Sequence, residues 1–126
     1  MKFSLSRENL LSALQTVGGV VEKRQTMPVL ANLLFQITQN TLTVTASDLE
    51  IETRATTEIE TSDGDFQTTL PAMKLISIVR SLPDGVLVTL EFEQTRCQLS
   101  AGRSRFKLST LPAEDFPTID LTQTEL

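Results

Sequence analysis

The sequence predicts an α+β fold built from two βαβββ units, with two helices packed side by side on one curved, mostly antiparallel sheet. Three observations point there. Apolar spacing switches twice from alternate positions to helical spacing, each switch is followed by three alternating stretches rich in β-branched residues, and the two passages share one hydrophobic pattern. Leu70, Leu75, Ile76, Val79 and Leu82 stand 65 positions after Leu5, Leu10, Leu11, Leu14 and Val17. Val88, Leu90, Phe92, Cys97, Leu99 and Phe106 stand 55 positions after Leu33, Phe35, Ile37, Leu42, Val44 and Ile51. The offset falls because the first helix is followed by the longer loop GGVVEKRQTMP.

In chain order, FSLS alternates as a short strand, and Leu10, Leu11, Leu14 and Val17 then form one apolar helix face over about residues 7–17. Ser6 is placed to cap this helix, Leu5 and Leu10 to staple its entry, and Gly18-Gly19 to stop it. ANLLFQIT, TLTVTASD and EIETRATTEI follow as strands, with polar turns such as Gln39-Asn40 between them. From residue 66, FQTTL reads as the second opening strand and PAMKLISIVRSL as the second helix, bounded by Pro71 and Pro83-Asp84-Gly85. LVTLEFE, RCQLSAG and SRFKLST complete the second unit. The domain is expected over about residues 1–118, with repeats at about 1–60 and 64–111, and 119–126 as the start of an acidic linker.

A chain of 126 residues with 40% apolar content can bury a compact core. Its single cysteine excludes an internal disulfide framework, and the absence of histidine removes the commonest general base and zinc ligand. No catalytic residue, metal or cofactor is therefore expected. No apolar run approaches the ~20 residues of a membrane span, and MKFSLSRENL lacks a signal peptide's apolar centre, so a soluble intracellular protein is expected. Asp48, Glu50 and Glu52, and Asp63 with Asp65, lack the ligand series of a calcium loop and read as solvated acids. Cys97 shares its inward position with Leu42 of the first unit and reads as a core thiol.

The formal net charge of −5 is unevenly spread. Residues 48–65 hold one basic and seven acidic residues, whereas 74–107 hold six basic and three acidic. Within SAGRSRFKLSTL, strand alternation puts Arg103, Arg105 and Lys107 on one face and Phe106 and Leu108 on the other. Two readings fit the residues alone: an edge strand guarded by cations against unwanted pairing, and a patch that attracts phosphate. On the second helix the apolar positions leave Met73, Ser77 and Arg80 toward the opposite face, while the first helix offers Ser12, Gln15 and Thr16 with Arg7 as its only cation.

The passages MKFSLSRENLL, TMPVLANLLFQI, LTVTASDLEIE, TTLPAMKLISIVRSLP and SAGRSRFKLSTLPAEDFP together resemble the N-terminal domain of the bacterial DNA polymerase III beta subunit, the sliding-clamp family. The resemblance covers essentially the whole chain. It implies a DNA clamp fold within a head-to-tail dimer of three-domain subunits, a six-domain ring around duplex DNA with helices lining the hole and sheets outside. It further implies a non-catalytic, cytoplasmic processivity factor at the nucleoid, serving DNA polymerase III and its clamp loader through domains beyond this chain.

For the basic stripe, the resemblance implies a third reading. The 104–110 edge continues its sheet into the third domain of the other subunit, with Lys74, Arg96, Arg103 and Arg105 facing acids there, Lys107 in the same interface and Phe106 entering an apolar contact. A head-to-tail joint needs two different, complementary surfaces. The resemblance places DNA contact at Arg24, with Lys23 beside it, and on the helix side at Arg80, Arg7 and the Met73 position, where some relatives carry a cation. The residues by themselves leave one alternative function, a free-standing β-rich module that binds an acidic protein through the Arg103–Lys107 edge.

Overall fold

The computed structural model describes residues 1–19 and 28–117. The first unit runs β1 (Lys2–Ser6), α1 (Arg7–Gly18), a 3-10 turn at Pro28–Ala31, β2 (Asn32–Thr38), β3 (Thr41–Ser47) and β4 (Glu52–Glu58). A two-residue strand, β5 (Thr61–Ser62), links it to β6 (Phe66–Pro71), α2 (Ala72–Ser81), β7 (Leu87–Glu93), β8 (Arg96–Ala101) and β9 (Ser104–Ser109). A second 3-10 turn follows at Ala113–Asp115.

Local chemistry explains the helix ends. The Ser6 hydroxyl accepts from the Asn9 amide at 3.1 Å, satisfying one of the four orphan donors of the first turn. Leu5 and Leu10, the staple pair, are both fully buried. The α1 helix ends one residue later than expected, at Gly18, which faces α2. A Cβ built there would lie 3.2 Å from Ile76 Cδ1, tighter than a relaxed contact. Pro71 occupies the cap of α2 rather than its first turn.

The two helices pack on antiparallel ladders, as the α+β reading expects, but the single curved sheet is two sheets, ordered β5-β1-β7-β8-β9 and β4-β3-β2-β6. The opening strands of the two units have changed places. β1 pairs with β7, Leu5 opposite Val88, while β6 pairs with β2, Leu33 opposite Leu70. Each helix thus carries the chain from one sheet to the other, and neither repeat has a complete sheet of its own. An isolated bridge between Thr69 and Leu111 joins the sheets near the end of β9.

The repeat extends into its turns. Gln39 and Gln94, 55 positions apart, begin the β2–β3 and β7–β8 turns with φ of 56° and 50°, a left-handed conformation that is uncommon for a residue with a Cβ. One pairing needs correction. Ile51 is not the counterpart of Phe106: it lies outside β4 and is 57% exposed. Val44 faces Ala55 as Leu99 faces Phe106, so Ala55 is the equivalent residue. Between Ala46 and Thr53 lie six residues, against two between the equivalent Ala101 and Ser104, and those four extra residues lower the offset from 55 to 51.

One core joins both units: Phe3, Leu5, Leu10, Leu14, Val17, Phe35, Leu42, Leu75, Val79, Leu90 and Leu99 are all fully buried. A smaller cluster of Val29, Leu34 and Phe116 lies apart from it. Here Thr69 Oγ1 accepts from Asn32 Nδ2 at 2.9 Å and from the Leu111 amide at 3.2 Å, and donates to the Leu111 carbonyl at 2.8 Å. The LSTLPAEDFP motif is thereby a latch, tying the chain after β9 back onto β6 and β2.

Candidate functional site

β9 has β8 on one side and no ladder on the other among the described residues, so it is a sheet margin. Gly102, with φ of 59°, stands first in the tight turn that reverses the chain from β8, a place where glycine avoids the Cβ penalty. Arg103, Arg105 and Lys107 are exposed, Leu108 is buried, and Phe106 is half-buried against the main core. The alternation read from RSRFKL is therefore the geometry observed.

The register divides the stripe into two kinds of cation. Lys107 lies opposite Gln98 and, one strand further, Glu91; Arg96 lies opposite Glu93. These two have acids in their own sheet. Arg105 lies opposite Ser100, which pairs with Thr89, and Thr89 in turn with Ser4, a neutral row whose Ser4 and Thr89 hydroxyls bond at 2.8 Å. Arg103 occupies the turn. Among the described residues Lys74, Arg80, Arg96, Arg103, Arg105 and Lys107 form no ion pair, whereas Arg54 is paired with Glu52 at 3.1 Å and Arg7 with Asp84 at 3.0 Å.

The helices place the remaining candidates. Met73 is 53% exposed, and Ser77 and Arg80, four and seven residues on, share its outward side of α2; Lys74 is also exposed. Leu75, Ile76, Ile78 and Val79 take the core side. On α1 the exposed residues Ser12, Gln15 and Thr16 are neutral, with Thr16 Oγ1 donating to the Ser12 carbonyl at 2.8 Å. Lys23 and Arg24 lie outside the described residues, as does the 119–126 segment.

Arg7 does not present a free guanidinium to solvent. Its Nε donates to the Val79 carbonyl at 3.2 Å, Nη2 to the Arg80 carbonyl at 3.2 Å, and Nη1 to Asp84 at 3.0 Å and to Glu8 at 3.4 Å. Its side chain is 14% exposed. These bonds give Arg7 a structural role, with Nε and both terminal nitrogens each already donating to an acceptor within the fold. No local pattern announces this, since Arg7 and Asp84 are 77 residues apart.

The acids flagged in the sequence have ordinary structural work. Asp48 Oδ1 accepts from the Glu50 and Ile51 amides at 2.9 and 2.7 Å, which holds its carboxyl below the usual 3.8. The Gly85 amide lowers Glu8 below its usual 4.5. Both pKa values are depressed by folding, so these contributions to stability are complete above the ordinary values and fade as pH falls through the native ones. Asp65 accepts from the Gln39 amide at 2.8 Å.

Cys97 is buried, and the loss of water pushes its thiol up to about 12. At pH 8 the native protein is expected to resist alkylation by iodoacetamide, with labelling following unfolding by urea. Full labelling without denaturant within minutes would contradict the buried placement.

A family model for the N-terminal domain of the DNA polymerase III beta subunit matches residues 1–120. A beta sliding clamp of Proteus mirabilis is 46% identical over 126 residues, all of this chain and 34% of that protein. One from Pseudomonas aeruginosa is 47% identical over 120 residues, 95% of this chain and 33% of that protein. Among solved structures, a P. aeruginosa sliding clamp bound to griselimycin superposes with a TM-score of 0.91 at 47% identity, and one from Caulobacter crescentus with 0.91 at 43%. Each superposition covers 95% of this chain and about a third of the other. The chain thus spans about a third of these relatives, at their N-terminal domain. With the family model covering nearly every residue and the exchanged-strand fold reproduced at that level of similarity, the chain belongs to the DNA polymerase III beta subunit family, as its N-terminal domain.

Proposed function

We propose that this chain is the first domain, at about residues 1–118, of a ring-shaped processivity factor that encircles duplex DNA and tethers the replicative polymerase, sliding without sequence preference. The observation that carries the reading is the β9 margin: among the described residues, a strand edge without a ladder partner and cations at Arg103 and Arg105 without ion pairs, with a half-exposed phenylalanine between Arg105 and Lys107. In a free monomer such an edge invites association. In a head-to-tail dimer it meets an acidic, complementary edge of the other subunit, with Lys74, Arg96 and Lys107 around it. Ring closure then needs no catalytic group, metal or cofactor from this domain. DNA polymerase III and the clamp loader dock on parts of the protein outside this chain, and the segment from 119 leads to them. The protein works in the cytoplasm at the nucleoid; no helix among the described residues is long and apolar enough to cross a membrane.

DNA is met by Arg80 and the Met73 position on the exposed face of α2, and by Arg24 and Lys23, which lie outside the described residues. Few cations there mean weak, salt-sensitive and sequence-blind contact, because each neutralised phosphate contributes through counterion release and no base edge is read. Weak contact suits a sliding ring. In the full-length protein, Arg24→Ala is expected to lower DNA affinity at low salt about threefold or more and to leave dimerisation unchanged. Loading on nicked circular DNA tests the topology: the protein should remain bound at moderate salt and be released when the circle is linearised. Retention on linear DNA with free ends would sink the ring reading.

A further inference from the structure

We propose that Arg7 is a positioning residue for DNA contact: it holds the last turn of α2 and so fixes the outward direction of Arg80. The inference rests on the proposed DNA contact of Arg80 and deepens it. The α2 helix ends without the glycine cap that usually satisfies terminal carbonyls. Its C-cap, Leu82, leaves in an extended conformation at φ −78° and ψ 152°. The last carbonyls are served instead from elsewhere: Ile78 by Ser81 Oγ at 2.7 Å, Val79 by the Leu82 amide and Arg7 Nε, and Arg80 by Arg7 Nη2.

A guanidinium at the negative end of a helix also matches its dipole. The same group grips Asp84 in the turn beyond, and neighbouring Glu8 accepts from the Gly85 amide at 3.0 Å, so the N-terminus of α1 clasps α2 and its exit turn together. The contact on Arg80 is made to that residue's own carbonyl, while its side chain is exposed and unpaired among the described residues. The second repeat offers no matching clasp, because the position 65 after Arg7 is Ala72.

The test is a double-mutant cycle in the full-length dimer, read by anisotropy of a fluorescein-labelled mixed-sequence duplex across a salt series, beside amide exchange of Leu82 and Gly85. Arg80→Ala is expected to weaken binding about three- to tenfold and to reduce the salt slope by about 0.9 for each Arg80 of the dimer that meets a phosphate. Arg7→Ala and Arg7→Lys should each weaken binding by a smaller factor and speed exchange at Leu82 and Gly85. Lysine keeps the charge but lacks the planar fork that reaches two carbonyls and a carboxylate. The Arg7→Ala, Arg80→Ala double variant should bind no worse than Arg80→Ala alone.

Additive losses with wild-type affinity in Arg7→Lys would show Arg7 touching phosphate itself and overturn the inference, as would unchanged amide exchange. Should Arg7→Ala fail to fold, the cycle run with Arg7→Lys decides by the same non-additivity. If Arg80→Ala alone has no effect at low salt, the helix-face DNA reading fails and takes this inference with it.

Discussion

Phe106→Ala in the full-length protein is expected to weaken subunit association by about 10- to 100-fold, the range for losing an aromatic anchor at an interface centre. Arg103→Ala should cost no more than about fivefold, because an exposed ion pair exchanges one hydrated environment for another. The ranking follows from burial. Phe106 is half-covered by its own core, and a partner strand along β9 would cover the remainder without further ordering cost to a ring already held in place. The arginines would direct encounter and partner choice, so their loss should appear in the association rate and in its salt dependence.

Because Phe106 also packs inward, part of its loss falls on the domain itself. Denaturant midpoints of the isolated domain separate the two effects. Analytical ultracentrifugation that ranked Arg103→Ala as the more damaging change would show electrostatics holding the joint and would overturn the assignment of Phe106.

Phe3→Ala is expected to destabilise the domain by about 3–5 kcal/mol, a large share of the roughly 5–15 kcal/mol that holds a domain of this kind together. Phe3 is fully buried on β1. Its ring stacks on Phe92 of β7 with centroids 5.9 Å apart and tilts against Phe66 of β6 at 6.0 Å, while Phe66 and Phe92 meet edge-on at 5.1 Å. These three rings come from the two exchanged strands and from the strand that receives one of them. Removing Phe3 leaves a cavity where the two sheets are tied together. Phe3→Leu, which refills most of it, should recover more than half of the loss. A shift below about 1 kcal/mol for Phe3→Ala in urea titration would mean that the site collapses freely and that the aromatic trio does not hold the crossing.

Much of the fold is legible in the sequence because burial has a period. Leu10, Leu14 and Val17 face one side of a helix whatever surrounds it, and Leu42 and Val44 face one side of a strand. Such patterns placed both helices and the strands of both units, and alternation alone put Arg105 and Lys107 opposite in direction to Phe106 and Leu108. The repeat was legible for the same reason, and it failed at Ile51, where a longer turn shifted the register without leaving an apolar signature. The resemblance to the clamp family supplied what pattern could not, a direction in which to look for the partner of the basic edge.

The sequence by itself determined which side of both helices and of the central strands is buried, where Ser6 starts a helix, and that Arg103 to Lys107 form a cationic stripe on a strand. Only the tertiary structure decided that β1 and β6 exchange sheets, that β9 ends a sheet, and that Arg7 caps a helix more than 70 positions away instead of standing free. The physical reason is range. A period of 2 or 3.6 residues is written in neighbouring side chains, whereas the choice of strand partner, and of the carbonyl a guanidinium meets, depends on the summed burial of the whole core and is carried by no single stretch.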